Sequence, residues 1–131
     1  MVADVVADLA NAPVDFRILA GAGAPVREFK AGDVIFKQGD AAHELFVVQD
    51  GEVEIRLGNR LLETLSEFSI FGEMALIDAA PRSATAVART DVKLVAVAEK
   101  QFLFLISNTP HFALNVIRVM ARRLRATNQS L

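Results

Sequence analysis

The sequence predicts a mainly β protein of the α+β class, an antiparallel sandwich or barrel with flanking N- and C-terminal helices. Two observations carry that prediction. Between residues 26 and 98 the apolar residues come in short runs bounded by turn residues, the spacing of an antiparallel sandwich or barrel. On either side of that window the apolar spacing changes to the helical one. A third observation sets the scale: 131 residues, 53% hydrophobic and 23% charged, are enough for a single core and too apolar for a disordered chain.

Taken in order, residues 2–10 place Val2, Val5, Val6 and Leu9 at helical spacing, a weak amphipathic helix. Residues 11–25 carry Pro13, Gly21, Gly23 and Pro25, so this lead-in is loop-rich with a short helical piece near 14–19. Residues 1–25 therefore form an N-terminal lead-in, and 26–131 the domain proper. Strands are predicted at 26–29, 34–37, 44–49, 52–57, 60–65, 83–88 and 92–98. Gly32-Asp33, Gly39-Asp40, Asp50-Gly51 and Gly58-Asn59 supply the turns, the last closing a two-residue hairpin between the fourth and fifth predicted strands. Residues 99–107 form a short helix with Phe102, Leu103, Leu105 and Ile106. Thr109 then reads as an N-cap, with Pro110 at the first helical position. On that last helix Ala113, Val116, Ile117, Met120 and Leu124 share the docking face. Arg118, Arg122, Arg123 and Arg125 form a basic patch that reads as a solvated face suited to the helix dipole.

Several function classes fall away on composition. Cysteine is absent, which excludes disulfides, thiol catalysis and thiolate metal sites, and His43 with His111 cannot supply a three-histidine metal centre. No apolar run approaches the roughly 20 residues of a membrane span. The start, with Asp4 and Asp8 and no basic region, is unlike a secretory signal, so a cytoplasmic protein is expected. A net charge of -2 gives no general attraction to nucleic acid or anionic membrane.

Chemistry concentrates in residues 71–85, FGEMALIDAAPRSAT. Glu73 is an acceptor-only carboxylate, and Arg82 is a permanently charged fork of donors suited to phosphate. Gly72 and the small residues let backbone N–H groups approach a ligand closely. Met74, Ala75, Leu76 and Ile77 allow one helical turn whose free N–H groups would face an anion. That set suits a sugar phosphate, although on spacing alone Glu73 and Arg82 also read as a plain ion pair across a loop.

This stretch resembles the phosphate-binding cassette of the cyclic-nucleotide-binding domains, as found in catabolite activator proteins, regulatory subunits of cyclic-AMP-dependent kinase and cyclic-nucleotide-gated channels. The resemblance extends to residues 32–40, GDVIFKQGD, and to Asp50-Gly51-Glu52-Val53, and covers roughly residues 26–124. It implies an eight-stranded jelly-roll barrel, no enzymatic activity, and a ligand site built from Phe71, Gly72, Glu73, Met74, Ala75, Arg82, Ser83 and Ala84. Arg82 would pair with the cyclic phosphate, and Glu73 would accept from the ribose 2′-hydroxyl. Backbone N–H groups near Ala75 and Ser83 would complete the cradle, with Leu65, Val47 and Ile70 as pocket walls. Serine after the arginine is compatible with either base. Cyclic AMP is the favoured ligand, cyclic GMP the other candidate, and no metal is implied.

The sequence departs from the family in two places. Residues 66–70, SEFSI, lack the glycine of the family's turn before Phe-Gly-Glu. The chain also stops where the family's activators continue into a DNA-binding domain, so the expected output is an unknown protein partner or self-association, through movement of the C-terminal helix, with no DNA or membrane binding. The residues that would cap the base must come from the tail Arg122 to Leu131, from a second subunit, or be missing. Two rival classes are a jelly-roll interaction domain that has lost its ligand and a cupin-type enzyme, which would need a histidine and carboxylate cluster.

Overall fold

The computed structural model describes residues 15–78 and 80–130, with side chains through residue 122, so the helix expected at 2–10 lies outside the described residues. Element order is α1 (Phe16–Gly21), β1 (Val26–Phe29), β2 (Val34–Phe36), β3 (Glu44–Asp50), β4 (Val53–Leu57), β5 (Arg60–Leu65), β6 (Ile70–Phe71), a 3-10 turn (Glu73–Leu76), β7 (Thr85–Ala88), β8 (Val92–Ala98), α2 (Glu99–Asn108) and α3 (Pro110–Ser130). β1, β5 and β8 have the predicted bounds, and β2, β3, β4 and β7 differ at their ends. β6 is an addition. Two residues have no period to read, and this strand exists because Ile70 and Phe71 pair with Val47 and Phe46 of β3.

The strands form two antiparallel four-stranded sheets, β1-β8-β3-β6 and β2-β7-β4-β5. The expected barrel is therefore a jelly-roll sandwich whose ladders do not close into a single ring. β3 and β8 are buried on both faces. Phe46, Val48, Val92, Leu94 and Ala96 face inward against Val53, Leu65, Ala86 and Ala88 of the opposite sheet. Leu45, Val47, Val95 and Val97 face outward against Leu19, Leu105, Phe112 and Val116 of the helices. This double burial is why Leu45-Phe46-Val47-Val48 is continuously apolar where a half-exposed strand would alternate.

α3 docks on a stripe rotated from the expected one. Phe112, Val116, Val119 and Met120 pack toward the core, whereas Ile117 is 54% exposed. The start of the helix sets this phase, because the Phe112 ring meets Phe102 of α2 edge-on at 6.3 Å. Leu124, Arg123 and Arg125 lie outside the described side chains. Thr109 joins the two helices differently from the expected N-cap: its N–H and hydroxyl both donate to the Leu105 carbonyl, at 2.7 and 3.0 Å, and only its own carbonyl starts α3, accepting from Phe112 N–H.

At the glycine-free turn, Phe68 itself takes the left-handed conformation, φ 71°. For a non-glycine residue this costs about 1–2 kcal/mol. Its N–H donates to the Val48 carbonyl at 2.8 Å, the Ser69 carbonyl accepts from Val48 N–H at 2.9 Å, and its ring stacks on Phe16 of α1 at 5.8 Å. Aromatic packing thus replaces glycine as the means of holding this turn. Phe68→Gly should be more stable than Phe68→Ala by about 1 kcal/mol, since both lose the ring and only glycine relieves the backbone. Chemical denaturation of the two variants measures the difference, and equal stabilities would mean that φ at this position carries no strain.

Candidate functional site

A cavity of about 720 Å³ lies between the 3-10 turn, the segment 80–84, the β4–β5 hairpin and α3. Phe71, Gly72, Glu73, Met74, Ala75, Arg82, Ser83 and Ala84 all line it. Leu65, Val47 and Ile70 do not: Leu65 is in the core between the sheets, and Val47 and Ile70 are in the core beneath the helices. Phe36, Ile55, Leu62, Glu63 and Met120 form the walls instead.

The backbone around Arg82 is clamped by the Gly39-Asp40 turn. Gly39 N–H donates to the Arg82 carbonyl and Arg82 N–H to the Asp40 carbonyl, each at 2.8 Å. The Asp40 carboxylate fastens the turn by accepting from Lys37 N–H at 2.9 Å. This rigid backbone aims the side chain inward, where the residue is only 8% exposed. Nη1 donates to the Gly72 carbonyl at 3.1 Å and Nη2 to the Glu44 carbonyl at 2.8 Å, while the guanidinium lies 4.1 Å from the centre of the Phe36 ring. Nε is buried without a partner. Burial pushes the guanidinium below its usual range, opposed by the charges of Glu44, Asp40 and Glu73 in that order. It nevertheless remains a cation. The simple ion-pair reading does not describe these contacts, because both terminal nitrogens bond backbone carbonyls. Glu44 directs its own carboxylate to Arg27, which approaches it with both terminal nitrogens.

Gly72 has no room for a side chain here. Its φ is 72°, and a Cβ would sit 2.6 Å from Arg82 Nη1 and 3.6 Å from the Glu44 carbonyl oxygen. The 3-10 turn that follows starts with Glu73, which is 3% exposed, and leaves Met74 outward at 53%. Ala75 N–H donates to the Gly72 carbonyl at 3.2 Å, so this N–H, expected in the cradle, has an acceptor inside the turn. Ser83 is exposed at the cavity, and among the described residues neither its N–H nor its hydroxyl has a protein partner. A cation and an unclaimed N–H and hydroxyl therefore meet beside a buried carboxylate, an arrangement suited to an anionic ligand with hydroxyl groups.

Sequence reasoning missed Phe36, Ile55, Leu62 and Glu63, which reach the cavity from β2, β4 and β5, outside the contiguous stretch 71–85. Met120 was assigned to the helix face but not to the cavity. Among the described residues no group of three or more His, Cys, Asp or Glu side chains is placed to hold a metal ion, and no helix is long and apolar enough to cross a membrane.

Comparison with known proteins agrees with this geometry. The family model described as cyclic nucleotide-binding domain matches residues 26–109. The Cyclic AMP receptor protein of Thermus thermophilus is 39% identical over 110 residues, which cover 80% of this chain and 51% of that protein. The chain spans about half the length of the first curated relatives it matches, at 51% and 49%. Among solved structures, the Thermus thermophilus catabolite activator protein superposes with a TM-score of 0.78 at 34% identity, covering 93% of this chain and 60% of that one. The EAL enzyme Bd1971 is similar in its cyclic-AMP-bound form, with a TM-score of 0.61 at 34% identity over 81% of this chain and 29% of that one. Its cyclic-GMP-bound form gives 0.58 at 35% over 77% and 28%. With the cassette, the sandwich and the family match over most of its length in agreement, the chain belongs to the cyclic nucleotide-binding domain family.

Proposed function

We propose that this chain is a non-catalytic sensor that binds a cyclic nucleotide, with cyclic AMP favoured and cyclic GMP also accommodated. The observation that carries the reading is Arg82, a buried cation beside an open cavity, with an unpartnered Nε and the unclaimed Ser83 N–H next to it. In the proposed complex Arg82 and Ser83 N–H hold the cyclic phosphate, and Glu73 accepts from the ribose 2′-hydroxyl. The preference for cyclic AMP draws on the name of the Thermus relative, and the tolerance of cyclic GMP on the two ligand forms of the EAL enzyme. Calorimetric titration of the chain with each nucleotide tests this, and binding of neither at millimolar ligand would overturn it.

Ser83 bears on discrimination. Its hydroxyl suits the guanine amino group, so Ser83→Ala should cost cyclic GMP about 1 kcal/mol more than cyclic AMP, the net worth of one neutral hydrogen bond. An equal loss for both would assign the hydroxyl to phosphate.

The readout we infer is the C-terminal helix. Met120 of α3 lines the cavity while its neighbours Val116 and Val119 pack toward the core, so a ligand touching Met120 bears on the seat of the helix. On saturation with cyclic AMP, hydrogen exchange should slow across residues 72–83 and change across 116–131, with β1 and β2 nearly unaffected. A response confined to the cassette would remove α3 from the output path. Capping by the segment from Arg122 to Leu131 concerns side chains that are described only at Arg122.

A further inference from the structure

We infer that Met74 and Met120 are a sulfoxidation site through which peroxides weaken ligand binding, an inference that rests on the cyclic-nucleotide reading. The chain has three methionines and no cysteine, tryptophan or tyrosine, so its thioethers are the side chains that a two-electron oxidant attacks first. Met1 lies outside the described residues. The other two, on different elements of the fold, both line the cavity.

Met74 sits in the 3-10 turn directly after Gly72 and Glu73 and is 53% exposed, so a small hydroperoxide reaches it from solvent. Met120 is half-buried. It faces the cavity from α3 and also packs against the core beneath the helices, as Leu76 of the turn does, and α3 and the turn touch. Methionine suits such a seam because its stem is flexible and its sulfur polarisable. Oxidation removes that suitability.

In the reaction a sulfur lone pair attacks the outer peroxide oxygen, and the S–O bond forms as the O–O bond breaks. The bonding pair leaves with the second oxygen, which takes the peroxide proton and becomes an alcohol or water. Sulfur is oxidised by two electrons and the peroxide is reduced by two. The charge of the chain is unchanged, but an apolar thioether has become a polar sulfoxide whose oxygen only accepts hydrogen bonds. At Met74 this adds an acceptor dipole to the cavity in which Arg82 and Ser83 N–H await an anion, and disfavours one. At Met120 the oxygen borders a core of carbon atoms, Leu105, Phe112 and Val116 among them. A polar atom buried without a partner is costly, so the oxidised side chain turns further into the cavity or lifts α3 from its seat. Either move changes the wall on which the ligand rests. Ligand and oxidant therefore compete for the same two sulfurs.

The test treats the full chain with hydrogen peroxide, locates each added oxygen by mass spectrometry after trypsin, and titrates cyclic AMP before and after. Cleavage at Arg60, Arg82, Arg118 and Arg122 places Met74 in peptide 61–82 and Met120 in 119–122, apart from Met1. Wild-type affinity should fall about tenfold with both sites oxidised and recover with methionine sulfoxide reductases and a thiol. Saturating cyclic AMP should slow oxidation at both sites about threefold or more, relative to free methionine in the same mixture. The Met74→Leu/Met120→Leu chain conserves both side-chain volumes, and peroxide should leave its affinity at its own untreated value. Full oxidation of both sites with unchanged affinity overturns the inference and assigns the thioethers to filling space. So does a loss that persists in the double variant or that thermal unfolding traces to an unfolded chain, and so do equal oxidation rates with and without ligand. None of these results removes the cyclic-nucleotide reading, whereas an untreated wild-type chain that binds neither cyclic AMP nor cyclic GMP overturns both.

Discussion

Arg82→Ala is expected to weaken cyclic-nucleotide binding by about tenfold to a hundredfold, with the sandwich still folded. Hydrogen bonds to charged groups are each worth about 1.5–3 kcal/mol net, and 1.4 kcal/mol is a factor of ten in affinity. Among the described residues that line the cavity the guanidinium is the cation, and without it a bound phosphate would face two carbonyls, Gly72 O and Glu44 O, that repel it. The same two bonds and the packing on Phe36 tie Arg82 into the fold, so a modest loss of stability should accompany the loss of binding. Arg82→Lys separates the contributions. It keeps the charge and loses the planar fork, and should bind more weakly than wild type but better than alanine. Calorimetry read alongside thermal unfolding makes the comparison. A folded Arg82→Ala chain with unchanged affinity would rule out this residue as the phosphate ligand.

What could be read from the sequence divides along physical lines. The cassette was legible because its chemistry is contiguous: Gly72, Glu73, Arg82 and Ser83 sit within twelve residues, and one loop and turn bring them to one cavity. Strand positions were legible where a turn residue opened a run, as Pro25 does at 26–29, Asn59 at 60–65 and Asp91 at 92–98. β6 was not, since its two residues are a strand only because β3 lies beside them. The walls failed for a related reason. Leu62 reaches the cavity through a register shift between β4 and β5, and a shift belongs to the pair of strands, not to either sequence alone. Likewise the face of α3 was off in phase because Phe112, whose contact with Phe102 sets it, lies in the first turn, before the periodic run that was used to define the face. The Ser66–Ser69 turn shows the reverse case: the missing glycine was visible, while the remedy, a Phe16–Phe68 stack, joins residues 52 apart.

Gly51→Ala is expected to be the most damaging small substitution away from the site. Gly51 links β3 to β4 at φ 91°, and a Cβ there would stand 2.3 Å from the Asp91 carbonyl oxygen, 2.7 Å from Val92 Cγ1 and 2.8 Å from Thr90 Oγ1. The first of these is backbone, and it cannot retreat easily. Thr90 Oγ1 accepts from Glu52 N–H and donates to the Asp91 carbonyl, each at 3.0 Å, and Arg89 N–H donates to the Glu52 carbonyl at 2.9 Å. Val92 is 2% exposed in the core between the sheets. A methyl group must therefore push the β7–β8 turn off the β3–β4 turn, where these bonds couple the two sheets. The left-handed backbone costs about 1–2 kcal/mol and forced overpacking about 1–3 more. A total of about 3 kcal/mol lowers the melting temperature by about 10 °C in a domain of this size. Gly58→Ala is the matched control, with φ 60° and nothing within 4 Å of the added Cβ, so it carries the backbone cost alone. Thermal unfolding of both variants isolates the clash as the excess loss at Gly51. If the two melt together, the turns part at little cost and the contact with Asp91 does not hold the sheets in place. Gly51 is outside the cavity lining, so the fraction of Gly51→Ala that remains folded should bind cyclic nucleotide with the affinity of the wild type.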